Sequence, residues 1–228
     1  MPIPVSGQVG PQGLGDGVST QPFRQGRTAE TIVSELHGRF YEQVSRNSLF
    51  ATGMTVTSIS NVTFTTGTLG ATCTPIIGVW NPGTSQVNVV VLQAILQIAL
   101  TALQNTGGGP FVWAASVGNN AISTGLTPIN RRTLQTGASG VKGFAGTALT
   151  GLTNNLVVLH AAGVAGGNLY NIATLSTAAG FTTPMIPSVE NIDGGFVVPP
   201  GGVLALLATT TPVAQSASSA LLWEEVAL

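Results

Sequence analysis

Charge is what this sequence of 228 residues has least of: Asp, Glu, Lys and Arg make up 7% of it, against about 25% in an ordinary soluble domain. The deficit is uneven. Eight charged residues fall between Asp16 and Arg46, none lies from Asn47 through Asn130, and Gly143 through Val189 is a second stretch without one. With a formal net charge of −1 and no cluster of Lys and Arg, phosphate-backbone recognition has nothing to work with, so no nucleic-acid partner is expected.

Other absences narrow the field further. A single cysteine, Cys73, excludes an intrachain disulfide and a Cys-based zinc site. Apolar runs are short. The longest candidate, Val87–Leu103, is interrupted by Asn88, Gln93 and Gln97 and falls below the roughly 20 residues of a membrane span, so no membrane partner is expected. MPIPVSGQVG at the start has neither the basic residues nor the apolar core of a secretion signal. Disorder is excluded in turn, because it pairs low hydrophobicity with high net charge, and hydrophobic residues are 43% of this chain. What remains is a folded body with a surface of Thr, Ser, Asn, Gln and Gly. Interface cores are depleted in charge in the same way.

Residues 1–26 read as an extended arm rich in Gly and Pro. One amphipathic helix follows, roughly Thr28–Arg46. Thr28 suits the N-cap and Glu30 the first turn, and Ile32, Leu36, Phe40 and Val44 recur every four residues. That stripe packs either on the chain's own body or on a neighbouring subunit. Beyond Met54, Thr and β-branched residues dominate between Gly, Pro and Asn turns, the signature of an antiparallel sandwich or barrel. Strands are expected at 54–65, 75–80, 111–116, 155–163, 196–198, 203–209 and 219–228, with 119–148 a long connection. Val87–Leu103 alternates well as a strand, with Val90, Leu92, Ala94 and Leu96 on one side, and also supports a helical stripe through Leu92, Leu96 and Leu100; its valines favour the strand. Roughly eight strands predict an all-β, jelly-roll-like antiparallel sandwich over 51–228, preceded by the arm and helix of 1–50.

Catalytic equipment is sparse. His37 falls in the expected helix and His160 in an apolar strand, where a hydrogen-bonded core histidine is the expectation. Joined to Asp193 and a serine, His160 makes only an imagined triad, for which no spacing argues. Glu224 and Glu225 are neighbours on a strand and face opposite ways unless a bulge intervenes, and Glu190 and Asp193 read as loop residues. Arg131 and Arg132 read as a solvated loop tip. Gly107–Gly109 lacks the Lys-Ser or Lys-Thr of a phosphate loop. No catalytic residue, metal or cofactor is expected. Trp80, Trp113 and Trp223 would serve a glycan surface if exposed, yet each sits in an apolar run that places it in the core.

The segments ELHGRFYEQVSRNSLF (35–50), NPGTSQVNVVVLQAILQIAL (81–100, read as a strand pair), PPGGVLALLATTTPV (199–213) and SALLWEEVAL (219–228) resemble virion structural proteins of tailed bacteriophages. That resemblance implies a jelly-roll cement or decoration protein on an icosahedral head, commonly a homotrimer, whose arms clamp the major capsid protein. In this sequence the charged segment would supply those contacts, through Phe23, Arg24, Arg27, Arg39 and Arg46. The alternative within the same fold is a head-fibre or tail-associated adhesin for a host glycan.

Overall fold

A computed structural model describes residues 39–56, 64–65, 68–69, 74–100, 111–118, 125–137, 139–146, 149, 152–162, 188–208 and 215–228. Two compact units divide the chain, Met1–Tyr41 and Glu42–Leu228. Of the first, residues 39–41 are described, so the arm, Phe23, Arg24, Arg27 and most of the expected helix lie outside the described residues. In chain order the elements are α1 (Tyr41–Ser45), β1 (Leu49–Val56), β2 (Phe64–Thr65), β3 (Thr68–Leu69), β4 (Ile77–Trp80), β5 (Val87–Leu100), β6 (Phe111–Ser116), β7 (Ile129–Asn130), β8 (Lys142–Phe144), β9 (Leu156–Ala161), β10 (Ser188–Val198), β11 (Val203–Ala208) and β12 (Gln215–Ala227).

The protein is an all-β sandwich. One sheet has five strands in the order β10-β5-β12-β1-β7, the other seven in the order β2-β3-β9-β6-β11-β4-β8, and every pairing is antiparallel. Four strands of each sheet, β10-β5-β12-β1 and β9-β6-β11-β4, carry the chain back and forth between sheets, and β1 lies beside β12. This is the strand order of a jelly roll. The short strands β2, β3, β7 and β8 extend the sheet edges. Helix α1 ends where Asn47 takes a positive φ of 65°. Asn47 N–H then bonds the Val44 carbonyl at 3.0 Å and Ser48 N–H the Gln43 carbonyl at 3.1 Å, a Schellman-type stop that feeds the chain into β1.

The main core lies between the sheets. Phe50, Val89, Val91, Ala94, Leu96, Leu221 and Trp223 from the small sheet meet Ile77, Val79, Phe111, Trp113, Leu204 and Leu206 from the large one. A second apolar cluster covers the other face of the large sheet, where Phe144, Leu149 and Leu156 pack on Val112, Ala114, Val203, Ala205 and Leu207. That is why β11, VLALLA, is buried along its whole length: a strand covered on both faces loses the alternation of a half-exposed one. Backbone approach is closest at Gly78, where an added methyl would run into the Phe144 ring and stand 2.6 Å from the Leu204 carbonyl oxygen.

Residues 87–100 form one strand, not the pair suggested for 81–100. Its alternation departs from the sequence reading because of a bulge. Trp223 opposes Val91 while Leu222 opposes Gln93, so Leu92 is the extra residue. Val89 and Val91 therefore join the core together with Ala94 and Leu96. Val90, expected on the core side, pairs instead with Glu224 and Val197. The expected long connection at 119–148 contains β7 and β8.

Candidate functional site

Two polar clusters and one sheet face stand out. The first cluster sits where β10, the edge of the small sheet, meets β6 and β9 of the large one. Trp113 on β6 is fully buried and its Nε1 donates to Glu190 Oε2 at 2.9 Å. His160 on β9, directly opposite Trp113 in the ladder, brings Nε2 to 3.9 Å from Glu190 Oε1. Phe196 stacks on the His160 ring at 5.1 Å and tilts against Trp113 at 5.6 Å. Two sequence expectations change here. Glu190 is a strand residue, not a loop residue, and the His160 side chain is 51% exposed rather than a core histidine. The carboxylate beside it is that of Glu190. Asp193, with φ 52°, and Gly194, with φ 82°, lie in a bulge where the register between β10 and β5 jumps from Asn191 to Phe196. The arrangement ties the sheets together by one charge-assisted hydrogen bond and a stack of rings.

At the second cluster Glu225 Oε1 accepts from Ser139 Oγ and, at 3.3 Å, from Trp223 Nε1. Burial pushes its carboxyl above the ordinary 4.5, and those two hydrogen bonds pull partly the other way. Glu224 accepts from Ser48 Oγ at 3.2 Å. A raised carboxyl destabilises the fold only when ionised. The penalty is absent below the unfolded pKa, grows as pH rises from there through the raised folded value, and is constant above it. Glu225→Gln keeps the accepting oxygen and removes the charge. Urea titrations at pH 4 and pH 7.5 are expected to show the variant gaining stability relative to the parent as pH rises; an unchanging difference would refute the assignment.

Three of the arginines have side-chain contacts that place them. Arg132 is no free loop tip: its Nη1 donates to the Ser45 carbonyl at 2.7 Å at the end of α1. Asn130, fully buried, donates to the Asn47 carbonyl at 2.9 Å and accepts from the backbone of Arg132 and Thr133. Arg46 pairs with Glu42 at 2.8 Å, and the Arg39 guanidinium lies 5.2 Å from the Phe40 ring centre. Trp113 and Trp223 have no exposed surface and Trp80 is partly buried, which matches their expected place in the core.

The outward face of the small sheet is a third feature. Paired residues share a face, so the registers define its rows. One row runs Ile129, Ala51, Leu222, Gln93, Asn191; the next runs Gly53, Ala220, Ile95, Val189; a third runs Leu49, Glu224, Val90, Val197. Glu224 is the only ionisable residue among them. Val189, Val197 and Ile129 are 50%, 54% and 44% exposed. Sequence reasoning missed this face because the bulge at Leu92 reverses the alternation along half of β5.

Among the described residues no three or more His, Cys, Asp or Glu side chains gather as a metal site, and no helix is long and apolar enough to cross a membrane. Set beside known protein families, curated proteins and solved structures, the chain shows no significant match to any of them.

Proposed function

We propose that this protein is a virion structural protein, a cement or decoration subunit that binds the major capsid protein and stabilises the icosahedral head of a tailed bacteriophage. The observation that carries the reading is the apolar-rich outer face of the small sheet, with Glu224 its single ionisable residue, on an otherwise ordinary jelly roll. A subunit of this kind needs complementary surface and several simultaneous attachments rather than a pocket. Linked contacts raise avidity by about 10²–10⁴ over a single one when geometry lets them engage together. The sequence resemblance points the same way and adds a homotrimer as the expected assembly, with Phe23, Arg24, Arg27, Arg39 and Arg46 toward the capsid. The glycan-adhesin alternative has less support, since Trp113 and Trp223 present no ring to a sugar.

Immunogold labelling of the virions that carry this chain is the direct test. Label is expected on the head, and heads lacking the chain are expected to rupture at a lower temperature until purified protein is added back. Label confined to the tail, or heads indifferent to the protein, would refute the reading. Deleting residues 1–26 is expected to weaken capsid binding and leave the β body folded.

A further inference from the structure

We infer that Asn130 and Arg132 are positioning residues, which clamp the root of the amino-terminal segment so that it joins the sandwich through a fixed joint. The inference rests on the proposed capsid role, because the contacts assigned to that role lie on this segment.

The joint is the chain from Glu42 to Leu49, which belongs to the same compact unit as the sandwich. Groups distant in sequence take four of its carbonyls. Arg132 Nη1 donates to that of Ser45 at 2.7 Å and Asn130 Nδ2 to that of Asn47 at 2.9 Å. The Glu225 amide donates to that of Ser48 and the Arg131 amide to that of Leu49, both at 2.9 Å. Those two backbone bonds belong with the ladders that β1 makes on either side. The side-chain bonds reach further, past the start of β1 to the end of α1. Carbonyls there have no partner within a helix, and a guanidinium suits the negative end of the helix dipole.

The turn that supplies both side chains contributes little to the core. Every residue from Arg131 through Gly137 is exposed. The turn is nonetheless tightly defined. Asn130 Oδ1 accepts from the Arg132 and Thr133 amides at 3.0 and 3.2 Å, and the Leu134 amide donates to the Asn130 carbonyl at 2.9 Å. Leu134 takes φ 57°, an unfavourable conformation for a residue with a Cβ, while its side chain stays 73% exposed. Burial of leucine is therefore not what offsets that strain. What the turn presents is one amide and one guanidinium, both bonded to the chain that enters β1. A segment tied in this way has less freedom left to lose when it binds. Such preorganisation raises affinity without adding a contact.

Two measurements on the full chain test this: amide hydrogen exchange, and binding to heads that lack the protein. The amides of Arg46, Asn47 and Ser48 close α1 by bonding Glu42, Val44 and Gln43. In Arg132→Gln, at an exposed position, they are expected to exchange about fivefold faster or more, because local opening then breaks one bond fewer. Amides of β11 are expected to keep the parent's rates. Arg132→Lys retains a cation that can donate to a single carbonyl and is expected to restore most of the protection. Asn130→Ala is expected to act as Arg132→Gln does, to a greater degree. Head binding by Arg132→Gln is expected to weaken about fivefold as the preorganisation is lost. Unchanged exchange at 46–48 overturns the clamp. Equal acceleration in β11 also overturns it, since the contact would then support the whole sandwich. Fast exchange at 46–48 with undiminished head binding refutes the positioning role and leaves the virion role standing. A parent that binds no heads removes the virion role, and the exchange rates then decide the clamp alone.

Discussion

Trp113→Ala is expected to lower the unfolding free energy by about 3–5 kcal/mol, the range for truncating a fully buried tryptophan. Two losses combine. The indole fills the space between the sheets against Phe196, and its N–H is the donor that holds Glu190 at 2.9 Å. Removing the donor leaves a carboxylate with one fewer partner, and a hydrogen bond to a charged group contributes about 1.5–3 kcal/mol. Trp113→Phe helps separate the terms, since it loses the N–H but keeps most of the volume. Denaturant midpoints of the two variants should differ, with Phe falling between Ala and the parent. A Phe midpoint equal to the parent's would mean that the Glu190 contact contributes nothing, and a shift below about 1 kcal/mol for Ala would mean that the core is not packed as described.

The second large effect is expected at Asn81. This side chain is fully buried. Its Nδ2 donates to the Val87 carbonyl at 2.8 Å and to the Val198 carbonyl at 3.0 Å, and its Oδ1 accepts from Ser85 Oγ. Its own N–H and C=O bond Gly202 and Gly201 at 2.9 and 2.8 Å. One residue thus staples the β4–β5 turn to the β10–β11 turn. Asn81→Ala strips donors from two carbonyls at about 1–3 kcal/mol for each group left buried and unpaired. Asn81→Asp is the sharper experiment, because an anion would then face two carbonyl oxygens. Its destabilisation should exceed that of Ala at pH 7.5 and shrink as pH falls toward the unfolded carboxyl value of about 3.9, where the protonated acid donates again. Thermal unfolding across that pH range would show it, and a pH-independent Asp variant would rule the geometry out.

Several elements could be read from the residues alone. FVWAAS coincides with β6, the closing run at 219–228 overlaps β12 through Ala227, and β11 lies within 203–209. Each is a continuous or alternating apolar run bounded by turn residues. Residues 87–100 were legible as a strand from their valines, yet the face each side chain takes was not. A bulge adds one residue without a mark in the pattern, and every residue beyond it changes sides. The same limitation hid Glu190. Asp193, Gly194 and Gly195 look like a loop, and the strand resumes behind them because β5 carries its own extra residue opposite. His160 sits among Val158, Leu159 and Ala161 and looked internal; its position toward the sandwich edge, facing Glu190, is set by pairings with residues distant in sequence. The two-residue strand β7 is too short to leave any periodic trace.

The adjacency of β1 and β12 has a consequence for how the protein is made. β12 inserts between β5 and β1, so a chain emerging from the ribosome carries two unmated strand edges until residues 215–227 have cleared the exit tunnel. Contacts that span nearly the whole length close slowly, and open edges invite pairing with other chains in the interval. The edges of β5 and β1 therefore stay open until β12 has been made and can insert between them.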